Sequence, residues 1–284
     1  MRFFLNDSII IEECGIRRSI NLKKMYQKTI IITGATSGIG RALAIKLTHL
    51  GANLILISRS EAKLNQLHDE LSAISNSDIE VYAADLSNRN ACQTVFEKVI
   101  RNRHQIDGLI NNAGVGIFEY GHLTQTSDID RMFQLNVYST IESLKVMIPF
   151  FQTQRFGHII NIGSMAGKIA TPKASVYSAT KSALIAYTDA VRLEVETKDL
   201  LFTTVNLGPV KTNFFKQADP TGDYQQSVSR YMLTADEVAD KIIKNLFKRK
   251  REINLPWWMA AGAKLHHQFP TLVETILKKQ FSKK

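Results

Sequence analysis

From about residue 28 to residue 255, short runs of almost unbroken apolar character alternate with longer stretches whose apolar residues recur every three or four positions. The runs are Thr29–Ile32, Asn53–Ile57, Glu80–Ala83, Gly108–Asn111, His158–Ile162, Phe202–Val205 and Glu252–Leu255. Runs of this kind read as strands buried on both faces. Between them, Leu43 and Leu47, then Leu64, Leu67, Leu71 and Ile74, then Cys92, Val95, Phe96, Val99 and Ile100 fall at helical spacing. Longer helical patterns run from about Asp128 to Phe151 and from about Ser175 to Thr197. A shorter one spans about Asp236 to Phe247, with Thr234 placed as its N-cap. Strict alternation of strand and helix predicts an α/β protein: a doubly wound parallel sheet, the Rossmann fold, covered by helices on both faces.

Two segments stand outside this alternation. Residues 1–27 fit none of its units; Ile9–Ile11 suits a short strand or a helical turn, and Arg17, Arg18, Lys23 and Lys24 suit a solvated surface. Since the first strand begins only near Lys28, Met25 is a candidate start. Residues 256–284 are apolar and basic at once, setting Trp257, Trp258, Leu265, Phe269, Leu272, Ile276 and Leu277 among lysines. The expected organisation is one domain over 28–255 with an N-terminal extension and a C-terminal tail. Packing on the protein's own body is preferred for the tail; covering a substrate mouth, pairing subunits and lying on a membrane surface are the alternatives.

The formal charge of +10 points to nucleic acid until it is located. Ten Lys/Arg against two Glu fall between 244 and 284, leaving the rest of the chain near +2, so no basic stripe crosses the fold. Two cysteines, Cys14 and Cys92, make neither a disulfide framework nor a metal-ligand pattern. No apolar run is long enough for a bilayer, and the start lacks a signal-peptide core. A cytoplasmic protein that binds no nucleic acid is expected. Adjacent His266 and His267 would diverge on a helix and make a poor metal site.

Chemistry is expected just beyond the strands' C-terminal ends, where doubly wound sheets bind ligands. After the first strand comes Thr33-Gly34-Ala35-Thr36-Ser37-Gly38-Ile39-Gly40, opening onto a helix. Gly34 permits a tight turn, Gly38 a close approach of backbone to a pyrophosphate, and Gly40 close packing of the helix, whose N-terminus faces the anion. The second strand ends in Ser58-Arg59-Ser60. An acidic residue there would hold a ribose 2′-hydroxyl, so the cation Arg59 favours NADP over NAD. Asp85 and Leu86 follow the third strand, a carboxylate for the adenine amine and an apolar side chain for the ring. Asn112, Ala113 and Gly114 follow the fourth, small enough to pass close to a cofactor. Ser164 ends the fifth, and Tyr177 and Lys181, at i and i+4, share one face of the next helix.

These pieces resemble the short-chain dehydrogenase/reductases over about residues 28–255. The matches are the T-G-x-x-x-G-x-G loop at Thr33–Gly40, Asp85, Asn111–Gly114, Asn136, Ser164, and Tyr177 with Lys181. The resemblance implies an NADP(H)-dependent oxidoreductase interconverting a carbonyl and an alcohol, acting as a reductase, with Asn136, Ser164, Tyr177 and Lys181 as a catalytic tetrad. Tyr177 would pass the proton and Ser164 would polarise the carbonyl. Lys181 would hold the nicotinamide ribose and lower the Tyr177 pKa by roughly 1–3 units, together with the charge of the oxidised nicotinamide. Asn136 would hold a relay water. The family's usual Pro-Gly after the sixth strand is reversed here, Gly208-Pro209, before Val210 and Thr212, which are positioned for the nicotinamide carboxamide. A homodimer or homotetramer is implied, built on the helices carrying Asn136 and Tyr177. The irregular stretch 213–232, with Phe214, Phe215, Pro220, Gly222, Tyr224 and Tyr231, resembles a substrate loop; its aromatics suit an apolar substrate and equally suit packing. Gly116, Phe118, Tyr120 and His122 are placed as the opposite wall. The rival reading is a non-enzymatic NADP-binding regulator or scaffold, which would need the glycine loop but not the tetrad.

Overall fold

The computed structural model describes residues 25–195 and 199–276 in full, and the backbone of 3–5, 8–13, 16–21 and 277–281. In the extension, β1 (Phe3–Leu5), β2 (Ser8–Glu13) and β3 (Ile16–Asn21) pair as an antiparallel meander, so Ile9–Ile11 takes the strand alternative. The side chains of Arg17, Arg18 and Leu277, and all of Cys14, Lys23 and Lys24, lie outside the described residues.

The domain continues through β4 (Thr29–Thr33), α1 (Gly38–His49), β5 (Asn53–Ser58), α2 (Glu61–Ser72), β6 (Ile79–Ala83) and α3 (Arg89–Asn102). Next come β7 (Gly108–Asn111), α4 (Thr126–Phe133), α5 (Ser139–Gln154), β8 (Gly157–Ser164), α6 (Ser175–Glu194) and β9 (Leu200–Leu207). A short β10 (Val210–Lys211), small helices α7 (Phe214–Ala218) and α8 (Asp223–Val228), and β11 (Leu233–Thr234) lead to α9 (Ala235–Asn245) and β12 (Glu252–Leu255). The tail forms α10 (Trp257–Gln268) and α11 (Pro270–Phe281). Thr234 caps α9 as expected, in a reciprocal capping box with Glu237.

The central sheet has seven parallel strands in the order β12-β9-β8-β7-β4-β5-β6. Side chains alternate across it, as strand geometry requires. Ile30 and Ile32 pack with Leu43 and Leu47 of α1, Leu64 of α2 and Ile242 of α9. Ile31 faces the other way, toward Phe96 of α3 and Leu144 and Phe151 of α5. Burying each such side chain stabilises the fold by about 1.5–3 kcal/mol. Strand order reverses between β4 and β7, which opens a crevice above their C-terminal ends.

One expected element differs. The helix read from about Asp128 to Phe151 is interrupted by a π-helical turn, Gln134–Tyr138, between α4 and α5. The turn takes an extra residue and shifts the helical phase of α5 relative to α4, and it carries the buried Asn136. Among the described residues, no helix is long and apolar enough to cross a membrane.

Candidate active site

At the crevice the two diverging loops are tied together at their roots. The Thr33 hydroxyl, at the end of β4, accepts from the amides of Asn112 (2.9 Å) and Ala113 (3.0 Å) beyond β7. In return the Asn112 side chain donates to the carbonyls of Thr33 (2.9 Å) and Gly34 (3.2 Å). Gly34 and Gly38 sit at φ 63° and 51°, a backbone that a Cβ disfavours. Thr36 bonds Ser58 at 2.9 Å, fixing the loop to the end of β5. Helix α1 starts at Gly38, with Ser37 as an exposed N-cap that makes no side-chain capping bond, and no acidic residue stands in its first turn. Its leading N–H groups are thus left to an external acceptor, a donor set that fits a diphosphate.

Gly40 lets the start of α1 come close to the ends of β4 and β7. A Cβ there would come within 2.3 Å of the Gly34 carbonyl oxygen and 2.7 Å of Asn112 Nδ2, so its absence lets the loop fold onto its own helix.

A cleft of about 1020 Å³ runs from this loop across the sheet edge. Gly34, Thr36, Ser37, Gly38 and Ile39 line one end. Arg59 is exposed beside them, with Lys63 in the first turn of α2; only the structure draws attention to Lys63. Two cations at a helix N-terminus fit a 2′-phosphate. Asp85 and the buried Leu86 lie next to them. Burial opposes the Asp85 charge, but hydrogen bonds from the Ser87 hydroxyl (2.7 Å) and N–H (3.0 Å) outweigh it. With the guanidinium groups of Arg59 and Arg131, they hold the carboxyl below its ordinary range. Ala113 and Gly114 floor the middle of the cleft.

Ser164, Tyr177 and Lys181 line the same cleft, all three buried. The Ser164 hydroxyl accepts from Ala166 N–H (3.1 Å) and is within reach of the Leu207 carbonyl (3.3 Å) and the Tyr177 phenol. Lys181 Nζ donates to the Ile162 carbonyl at 2.9 Å, a partner no local pattern in the sequence marks. The expected depression of the Tyr177 pKa does not arise from the protein's own groups. Burial pushes the phenol up to about 12, against the hydrogen bond from Ser164, and pushes the Lys181 amine down to about 8. Spacing on a helix fixes proximity; desolvation decides which form each group prefers.

Asn136 lies beneath the cleft rather than on it. Its Nδ2 donates to the Val115 carbonyl (2.8 Å) and Thr180 Oγ1 (3.0 Å), and its Oδ1 accepts from Val115 N–H (2.8 Å). Both amide hydrogens are engaged, so a relay water would rest on another atom of this residue. The side chain clamps the loop after β7 to α6.

The reversed Gly208-Pro209 has a packing reason. Gly208 N–H continues the β9–β12 ladder to Leu255 O (2.6 Å), and a Cβ at 208 would lie 2.7 Å from Met259 Sδ and 3.0 Å from Pro256 Cδ. Pro209 and Val210 line the cleft. The Thr212 methyl lies 3.1 Å from where a Cβ on Gly38 would stand, so Thr212 overhangs the glycine loop.

The far end is aromatic. The Phe118 and Phe214 rings lie 5.9 and 5.7 Å from that of Tyr177, and Tyr224 is 5.3 Å from Phe118. Of the expected opposite wall only Phe118 lines the cleft: Gly116 packs under Phe214, and Tyr120 and His122 are exposed outside it. The tail supplies Trp258, Met259, Leu265 and Val273 to this end, so it both packs on the body and roofs the cleft. Within it, His266 Nε2 is 3.0 Å from Glu274 Oε1. Among the described residues, no three His, Cys, Asp or Glu side chains gather to hold a metal ion.

Comparison with known proteins gives a consistent result. Residues 28–222 match the family model described as short chain dehydrogenase. The dehydrogenase/reductase SDR family member 7B of Xenopus tropicalis is 33% identical over 81% of this chain and 77% of its own length. A short chain dehydrogenase/reductase from Burkholderia phymatum, solved in complex with NAD, superposes with a TM-score of 0.77 at 25% identity, covering 87% of this chain and 95% of that one. A metagenomic short-chain oxidoreductase in complex with NADP does so with a TM-score of 0.68 at 25% identity, covering 81% and 96%.

Proposed function

This chain belongs to the short-chain dehydrogenase/reductase family, oxidoreductases that use nicotinamide cofactors, and on that premise we propose that it interconverts a carbonyl compound and an alcohol with NADP(H), Tyr177 passing the proton. The support is one juxtaposition: the uncapped N-terminus of α1 and the Ser164–Tyr177–Lys181 group line a single cleft. Homodimer or homotetramer assembly through the helices around Asn136 and Tyr177 belongs to the same proposal.

The dinucleotide, when bound, supplies or accepts the hydride. The residues of this chain divide the remaining work. The loop at Gly34–Gly40 and the first turn of α1 hold the diphosphate, Arg59 and Lys63 a 2′-phosphate, and Asp85 and Leu86 the adenine. Thr212 and the Val210 amide orient the carboxamide. Lys181, with one N–H on Ile162 O, keeps two donors for ribose hydroxyls. Ser164 hydrogen-bonds the substrate oxygen. Tyr177 gives that oxygen a proton as negative charge develops on it. Burial keeps the Tyr177 phenol protonated at neutrality, the form that carbonyl reduction requires. Arg59 and Lys63, with no carboxylate at the end of β5, support NADPH over NADH.

The test is the loss of NADPH absorbance across a panel of ketones and aldehydes, with NADH in parallel. Turnover favouring NADPH by about tenfold or more is expected. Dinucleotide binding with no turnover on any carbonyl would overturn the reading in favour of a binding protein.

A further inference from the structure

Among the described residues, helices α10 and α11 bury few side chains against the domain. Ala260 and Ala263 of α10 and Val273 of α11 are buried, and Met259 packs on Gly208. Trp257, Trp258, Leu265, Phe269, Leu272 and Ile276 remain exposed, by 44% to 76%. Leu272 and Ile276 stand at i and i+4, and Trp257 and Leu265 at i and i+8, so each helix carries an apolar stripe away from the core. That stripe is continuous with the cleft: Trp258 and Leu265 belong to both, and the half-exposed Tyr231 meets Trp258 edge-on at 5.8 Å between ring centres.

The charge of the tail, read along the sequence, is almost all of one sign. From 257 to 284 the sequence carries Lys264, Lys278, Lys279, Lys283 and Lys284 against a single carboxylate, Glu274. Glu274 is already engaged by His266. A second copy would bring together two tails of the same net positive charge, whereas an anionic headgroup layer is complementary to that charge. Tryptophan is also the side chain that partitions best to a bilayer–water boundary. Neither helix can span: twelve residues reach about 18 Å, short of the roughly 30 Å hydrocarbon core.

We propose that the α10–α11 hairpin docks this protein in the plane of an anionic lipid bilayer, and that its carbonyl substrate is a lipid-soluble compound entering between Trp258, Leu265 and Val273. The substrate clause rests on the oxidoreductase reading; the docking does not.

Trp257 and Trp258 are the chain's only two tryptophans, so intrinsic emission reads this face directly. The full chain is mixed with phosphatidylcholine vesicles, with or without phosphatidylserine, and followed by tryptophan emission and co-sedimentation. A blue shift with sedimentation is expected on the mixed vesicles, weaker on pure phosphatidylcholine, and reversed near 1 M salt, where the screening length is about 3 Å. Replacing two exposed side chains, Leu272→Ser with Ile276→Ser, should weaken vesicle binding at least about tenfold while NADPH binding is unchanged. Absence of both signals on anionic vesicles at low salt overturns the docking. So does a blue shift driven by protein concentration alone, which would make a second copy the occupant, or vesicle binding undiminished in the double variant. Vesicle binding by a chain that reduces no carbonyl would uphold the docking and remove only the substrate clause.

Discussion

Lys181 Nζ lies 6.0 Å from the centre of the Tyr177 ring, one turn away on α6, and it points its hydrogen bond at Ile162 O on β8 instead of at the phenol. The ammonium is tethered to the sheet, and both groups are out of water. Burial therefore acts on each separately, protecting the phenol's proton and loosening the amine's.

A pH dependence results, with its sign set by Lys181. Its amine falls from an ordinary 10.5 to about 8, so the cation proposed to bind ribose is present below 8 and lost above it. For the free enzyme, kcat/KM for reduction should be level through neutrality and fall about tenfold per pH unit beyond 8. Lys181→Arg, charged throughout, should lose that limb even if its rate is lower. Because the unfolded chain binds the proton more tightly, the same group makes stability rise from about pH 8 toward 10.5. A wild-type profile that stays level well past 8 would contradict the assignment.

In the proposed function, the preference for NADPH rests on Arg59. Arg59→Asp should weaken NADPH binding at least about tenfold, the loss of one charge-assisted contact, and leave NADH unaffected or improved. Lys63→Ala should act in the same direction and less strongly. Fluorescence titration of both dinucleotides measures this, and an unchanged NADPH-to-NADH ratio in Arg59→Asp would exclude the phosphate contact.

Two glycines should respond oppositely to alanine. At Gly40 the new Cβ meets backbone at 2.3 Å, so Gly40→Ala should destabilise by about 1–3 kcal/mol and weaken dinucleotide binding. Gly262, inside α10, has nothing within 4 Å of the new atom, so Gly262→Ala should stabilise by up to about 1 kcal/mol. Thermal melts of the two variants compare them, and equal midpoints would count against the loop packing at Gly40.

Much of this architecture is legible in the sequence because its signals are local. Ile30–Ile32 is an unbroken apolar run, and any strand buried on both faces must look like that. Gly34, Gly38, Ser164, Tyr177 and Lys181 each follow a strand or share a helix face, so topology alone brings them to one crevice. The rest depends on contacts distant in sequence. The π-turn at Gln134–Tyr138 changes helical phase without changing composition, which hides the clamp that Asn136 places on Val115. Spacing cannot tell that Tyr177 and Lys181 are buried, so it misses the upward push that desolvation puts on the phenol. Nor does any local pattern say that the tail folds back over Gly208 and brings Trp258, Leu265 and Val273 to the cleft.

The central claim is that the Tyr177 hydroxyl delivers the proton to a carbonyl held beside Ser164. Tyr177→Phe removes that oxygen alone and leaves the ring contacts with Phe118 and Phe214 in place. Steady-state reduction by this variant, measured beside its NADPH affinity, is the most direct test. The expected result is a fall in kcat of roughly 10²–10⁴ with NADPH binding unchanged. Reduction near the wild-type rate in the Phe variant would contradict the account.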